Sequence, residues 1–73
     1  MTDYSARLDL YVIMEEDRAG HRCVLDMIRM EDISRASVIR RARKLCPPAS
    51  RVIVLEDNDP TKPATPIYKS RIA

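Results

Sequence analysis

The side chains from Arg7 to Glu15 fall into two alternating sets, which is the period of a half-buried β-strand. This segment predicts a first strand over about residues 7–15. One set is almost wholly aliphatic and the other mixes charged, aromatic and aliphatic residues. The aliphatic set is Leu8, Leu10, Val12 and Met14, and the mixed set is Arg7, Asp9, Tyr11, Ile13 and Glu15.

The next segment, residues 16–21, holds the only glycine of the chain, Gly20. Glycine adopts positive φ at little cost, so this segment predicts a hairpin loop and an antiparallel second strand over about residues 22–30. The alternation in that strand is irregular, because Cys23, Leu25 and Met27 share one face while Val24, Ile28 and Met30 share the other. A β-bulge, or apolar side chains on both faces, accounts for the irregularity.

A helix is predicted over about residues 35–46. Ser34 is placed to cap its N-terminus, with Asp32 as the alternative cap, and Ile33 is placed to contact Val38 as a hydrophobic staple. At about 100° per residue, one narrow stripe of the helix is apolar and the opposite side is basic. Pro47 and Pro48 end the helix. The stripe consists of Val38, Ile39, Ala42, Leu45 and Cys46.

The aliphatic run from Val52 to Leu55 predicts a central strand over about residues 51–56. A proline-containing loop then leads to a last strand over about residues 67–72. With a right-handed crossover through the helix, the sheet order is expected to be 2-1-3-4. The fold class is therefore α+β: a single ββαββ domain over residues 1–73, with one helix on one face of a four-stranded antiparallel sheet.

The aliphatic set of the first strand is expected to face the helix. Tyr11 would then lie on the uncovered face of the sheet, beside Arg7, Asp9 and Ile13. A mixed surface of this kind suits a protein partner, so Tyr11 is a candidate partner-binding residue.

A chain of 73 residues has room for one small core, which rarely supplies more than about 3–5 kcal/mol of net stability. Burial of further apolar surface against a second chain would add to this, so a homodimer is one expectation. The N-terminal segment lacks an apolar signal region, and no apolar run reaches the about 18 residues that cross a bilayer. We expect a cytoplasmic protein without a membrane partner, and with Cys23 and Cys46 as reduced, buried thiols.

The chain shows no pattern typical of a catalytic, metal or cofactor site. His21 is the only histidine, and the cysteines lack the C-x-x-C spacing of zinc and redox sites. The acidic segments 15–17 and 56–59 do not match a calcium loop, and in the predicted sheet they lie at opposite ends. We expect no catalytic residue, no metal and no cofactor, and solvated charges in both segments.

Charge is segregated along the chain although the total is nearly balanced, with 13 basic and 11 acidic residues. Arginine forms paired hydrogen bonds with carboxylates and phosphates, so the basic helix side can recognise either group. A solvated helix exterior, with its positive end favourably at the helix C-terminus, is the alternative. The candidate partner-binding residues on the helix are Arg35, Arg40, Arg41, Arg43 and Lys44.

The ββαββ order and the helix segment ISRASVIRRAR at residues 33–43 resemble small proteins carried by phages and mobile elements, including some anti-CRISPR proteins. The resemblance lies in size and element order, so it carries over no functional residue. It implies a non-catalytic inhibitor that docks on a larger protein or nucleoprotein complex and blocks its nucleic-acid site. Two alternatives stand beside it: direct nucleic-acid binding by the helix, and an accessory dimeric domain that pairs through edge strands.

Overall fold

Two β-hairpin strands, one helix and two further strands follow one another along the chain. The computed structural model describes residues 9–45, 49–59 and 61–71. The strands are β1 (Leu10–Asp17), β2 (Arg22–Arg29), β3 (Ser50–Asp57) and β4 (Thr65–Lys69), and the helix α1 (Arg35–Leu45) lies between β2 and β3. All neighbouring strands are antiparallel, and the sheet order is β2-β1-β3-β4. The predicted α+β class, element order and sheet order are confirmed.

The element bounds differ from the predicted ones by up to a few residues. β1 runs on to Asp17, and β4 begins at Thr65 and ends at Lys69. β2 ends at Arg29 because Met30–Asp32 forms a single turn of 3-10 helix. The predicted strand residues 7, 8 and 72 and the predicted helix residue 46 lie outside the described residues.

The β1–β2 hairpin closes through the Asp17 side chain. Its Oδ1 accepts hydrogen bonds from the backbone amides of Ala19 and His21, both at 2.9 Å. Gly20 has φ of 88°, the conformation that glycine adopts most cheaply. The loop predicted from the single glycine is confirmed.

Ser34 caps α1, as one of the two predicted caps. Its Oγ accepts a hydrogen bond from the Ser37 backbone amide at 3.1 Å, which satisfies one of the free amides of the first turn. Ile33 contacts the core cluster that contains Val38, in line with the predicted staple. Ser34 and Ile33 therefore determine the cap of the helix and the direction in which the chain enters it.

Both edge strands carry a bulge. In β2, Leu25 has no partner on β1, because Ile13 pairs with Asp26 while Met14 pairs with Val24. In β4, Ile67 is the extra residue between Tyr68 and Pro66. The predicted irregularity of β2 is thus a bulge, which reverses the alternation of side chains halfway along the strand.

The helix covers the face of the sheet that we call the covered face, defined by Tyr11, Ile13, Val52 and Val54. These four side chains form the core with Val38 and Ala42 of α1, and all six are 6% exposed or less. The predicted orientation of β1 is wrong: Tyr11 and Ile13 face the helix, whereas Leu10, Val12 and Met14 alternate with them on the other side. Both sets of β1 are apolar enough to be buried, so alternation could not decide between them. Leu8 lies outside the described residues.

Cys23 is a further correction, because its thiol is free but exposed rather than buried. It lies on the edge strand β2, which has a neighbouring strand on one side only. Cys46 lies outside the described residues. Within the described part of the chain, no helix has the length and apolar character needed to cross a membrane.

Candidate functional site

Three of the five basic helix residues bind the sheet of their own domain. Arg35 Nη2 lies 2.8 Å from Glu56 Oε2 on β3. Hydrogen bonds to Glu56 and to the Tyr11 hydroxyl, together with the charge of Glu56, raise the pKa of Arg35 above its ordinary value. Arg35 is therefore held over the sheet at the first turn of α1.

Arg41 and Arg43 anchor the two flanks of the helix. The Arg41 guanidinium bonds Asp26 Oδ2 on β2 through Nε at 2.9 Å and Nη2 at 2.8 Å. The Arg43 guanidinium carbon lies 5.6 Å from the centre of the Tyr68 ring on β4, within the range of a cation–π interaction. These contacts hold α1 across the sheet from one edge strand to the other.

Arg40 and Lys44 differ from the other three. Both are exposed, and among the described residues neither forms an ion pair. They lie four residues apart, so their side chains are neighbours on one side of the helix. Two positive charges at this spacing repel each other slightly in the free protein, and a carboxylate placed between them would relieve the repulsion.

A groove of about 280 Å³ lies along this side of α1. We call it the basic groove; it is lined by Ile33, Ser37, Arg40, Arg41 and Lys44. It combines one half-buried aliphatic side chain with a hydroxyl and three cations, of which Arg41 is already bound to Asp26. The groove can therefore accept an acidic group beside a short apolar one.

Tyr11 does not contribute to this groove. It is 6% exposed and belongs to the core. Its predicted place on an uncovered face is wrong, because α1 lies on that side. The structure thus brings Arg40, Arg41 and Lys44 together and separates them from Tyr11, Arg35 and Arg43.

The other candidate titratable residues, His21 and the two acidic segments, lie among the described residues of the hairpin loop and the strand ends. No group of three or more histidine, cysteine, aspartate or glutamate side chains there is placed to hold a metal ion. His21 is 84% exposed, and its Nδ1 lies 3.5 Å from Asp17 Oδ2. Backbone hydrogen bonds, first from His21 and then from Ala19, lower the pKa of Asp17. The two acidic segments lie at opposite ends of the sheet, as predicted, since Glu16 pairs with Arg51 and Leu10 with Asp57. The expectation of solvated charges is wrong for Glu16 and Glu56, whose side chains are 18% and 20% exposed and form ion pairs with Arg22 and Arg35.

The other side of the sheet, which we call the second face, is the uncovered face that was predicted to suit a protein partner, but Tyr11 and Ile13 do not lie on it. It carries Leu10, Val12, Met14, Val24, Met27, Ile53, Leu55 and Pro66, with charged side chains at both ends. Val24 is 49% and Met27 55% exposed, while Ile53 is 1% exposed. In the sequence, the apolar side chains of Val12 and Met14 indicate such a face once the strand register places them on this side of the sheet.

Comparison with protein-family models, with curated proteins and with solved structures finds no match to this chain.

Proposed function

We propose that this protein is a non-catalytic binding protein that docks on a larger protein or nucleoprotein complex through the basic groove. The observation that carries the proposal is the contrast within α1. Arg35, Arg41 and Arg43 have partners on the sheet, whereas Arg40 and Lys44 have no ion pair in the described part of the chain and stand beside a groove.

The proposed ligand is an acidic protein segment. A carboxylate between Arg40 and Lys44 would form charge-assisted hydrogen bonds, each contributing about 1.5–3 kcal/mol in a protected setting. Ile33 at the groove adds apolar contact that a phosphate backbone does not use. A short segment with an acidic and an aliphatic residue satisfies both parts of the groove.

Nucleic acid is the weaker candidate because few cations are available. With only two unpaired cations in the groove, a duplex would show a salt slope of about −2 and low affinity. Inhibition of the anti-CRISPR type, expected from the resemblance, is one form that docking on a nucleoprotein complex would take.

The test is capture from bacterial lysate with tagged full-length chain, with and without nuclease, followed by mass spectrometry and nucleic-acid staining. Three single charge reversals are compared: Arg40→Glu and Lys44→Glu in the groove, and Lys62→Glu as a control on the exposed β3–β4 loop. We expect one nuclease-resistant assembly with wild type and with Lys62→Glu, and its loss with both groove variants.

The same variants then give the affinity for the purified partner by calorimetry. We expect Arg40→Glu to weaken binding by about tenfold or more, the equivalent of about 1.4 kcal/mol. Equal affinity of Arg40→Glu and Lys62→Glu would show that the groove is not the docking site. Recovery of nuclease-sensitive material alone would replace the protein partner by nucleic acid.

A further inference from the structure

The second face of the sheet is ordered in four rows of cross-strand neighbours. The two central rows are apolar apart from one lysine: Met27, Val12, Leu55 and Pro66 form one, and Val24, Met14, Ile53 and Lys69 form the other. The two outer rows are charged. They are Arg29, Leu10 and Asp57 at one end, and Arg22, Glu16 and Arg51 at the other.

We propose that two copies of this chain associate through their second faces, as a two-fold dimer whose axis runs across the strands between the two central rows. Each strand then lies over the same strand of the partner, running in the opposite direction. Stacked sheets of this kind pack about 10 Å apart, with their strands within about 30° of one another.

The exposed apolar side chains decide the direction of the axis. In the proposed dimer, Met27 lies over the partner's Val24, and Val24 lies over the partner's Met27. These two are the exposed large hydrophobic residues of the described sheet, at 55% and 49%. An axis parallel to the strands and between β1 and β3 would instead place them over the partner's Pro66 and the partner's Lys69.

The charges at the ends of β3 support the same arrangement. Asp57 lies over the partner's Arg51, and the symmetry repeats the pair. In its own chain Asp57 has no ion pair among the described residues, and Arg51, with a side chain 30% exposed, is paired with Glu16 through Nε at 3.4 Å from Oε1. Each charge therefore has capacity for the partner's opposite charge.

The arrangement also brings Arg29 near the partner's Arg22 at the edge of the sheet. Each of these arginines already has a carboxylate of its own chain, Glu31 at 3.1 Å from Arg29 and Glu16 at 2.9 Å from Arg22. The charges of Arg29 and of the partner's Arg22 are thus largely compensated within their own chains. Asp57, by contrast, has no such compensation among the described residues.

The size of the face predicts a weak dimer. Four strands about 4.8 Å apart and about six residues long present at most roughly 400 Å² per chain, because Ile53 is already buried, so the pair would bury no more than about 800 Å². Interfaces of this size are typical of transient complexes, so we expect a dissociation constant on the order of micromolar.

The experiment is sedimentation equilibrium of the full chain from about 1 to 300 μM, a range that brackets the expected constant. Wild type should pass from monomer to dimer, and Met27→Glu should stay monomeric because it places a carboxylate opposite the partner's Val24. Met27 is more than half exposed, so this substitution leaves the core of the fold intact. Arg40→Glu, on the helix side of the domain, should dimerise like wild type, which separates this test from that of the basic groove.

A charge exchange tests the direction of the axis. Asp57→Lys alone and Arg51→Glu alone should each weaken the dimer by about tenfold, and the double variant should recover most of the loss because the pair is restored with reversed signs. A wild type that is monomeric throughout the range, or a dimer unchanged by Met27→Glu, overturns the proposal. A double variant with the sum of the two single losses overturns the proposed axis.

Discussion

The two faces of the sheet carry similar side chains in different surroundings. On the covered face, Ile13, Val52 and Val54 are fully buried beneath Val38 and Ala42 of α1. On the second face, Ile53 of β3 is 1% exposed, whereas Val24 and Met27 of the edge strand β2 remain about half exposed. The difference shows that apolar character alone does not decide which face of a small sheet receives its helix.

The helix is held on the covered face by polar contacts at its rim. Arg35 bonds Glu56, Arg41 bonds Asp26, and Arg43 lies over Tyr68. Glu56, Asp26 and Tyr68 belong to three different strands, and all three project from the side of the sheet that faces the helix. Among the described residues, the second face has no equivalent set of polar contacts to a helix. The choice of face is therefore made jointly by apolar burial and by charges placed around it.

The largest expected effect is a difference in the free energy of unfolding between substitutions on the two faces. Ile13→Ala should lower the free energy of unfolding by about 2–5 kcal/mol, which is comparable with the whole net stability of so small a domain. Met14→Ala, on the half-buried side, should cost about 1 kcal/mol or less. Urea denaturation followed by circular dichroism, at a concentration where the chain is monomeric, gives both values. Equal losses at the two positions would refute the assignment of the faces.

A smaller effect should distinguish the rim of the covered face from the basic groove. Arg41→Gln breaks a partly exposed ion pair and should cost about 0.2–1 kcal/mol. Arg40→Gln removes one of two repelling neighbours and should leave stability unchanged or raise it by about 0.2–0.5 kcal/mol. Thermal unfolding of the two matched variants measures the difference. A loss with Arg40→Gln as large as that with Arg41→Gln would show that Arg40 also anchors the helix.

The smallest expected effect on stability concerns Glu16, at one charged end of the second face. The hydrogen bond from Arg22, assisted by the charges of Arg22, Arg51 and Lys69, lowers the pKa of Glu16 from its ordinary value of 4.5 despite partial desolvation. Because the folded-state pKa is the lower one, Glu16 stabilises the fold above pH 4.5, and this contribution is lost as pH falls through the folded-state value.

Urea denaturation of wild type and Glu16→Gln at pH 7 and pH 3 tests this point. The variant should be less stable than wild type at pH 7, and the gap should be smaller at pH 3. A difference of the same size at both pH values would mean that the Glu16 carboxylate does not titrate between folded and unfolded chains as described. Added salt should narrow the gap at pH 7, since both partners of the pair are solvent-accessible.

Local signals in the sequence were sufficient for the elements and their order. Gly20 predicted the hairpin, Ser34 the helix start, and Val52–Leu55 the inner strand. The face of β1 could not be predicted in the same way, because its orientation depends on the register with β3 and on the position of α1, which are long-range properties. Tyr11 looked like a surface residue for this reason.

The candidate site was predicted in composition but not in detail. The basic side of the helix was visible from residue spacing, whereas the partners of Arg35 and Arg41 come from strands 21 and 15 residues away. One local signal for such a pair was present: Asp26 is a lone carboxylate within an otherwise apolar stretch of β2. A charge in that setting needs a compensating partner, and the adjacent basic helix supplies it.

Because of the bulge at Leu25, β2 could lose one residue while its other side chains keep their present faces. Before the bulge, Cys23 points to the helix side; after it, Asp26 and Ile28 do. If Leu25 were deleted, Val24 would be followed directly by Asp26, and every other side chain of the strand would keep its present side. The chain can thus exist in two lengths with one pattern of faces, and relatives one residue shorter at this point would preserve both surfaces of the domain.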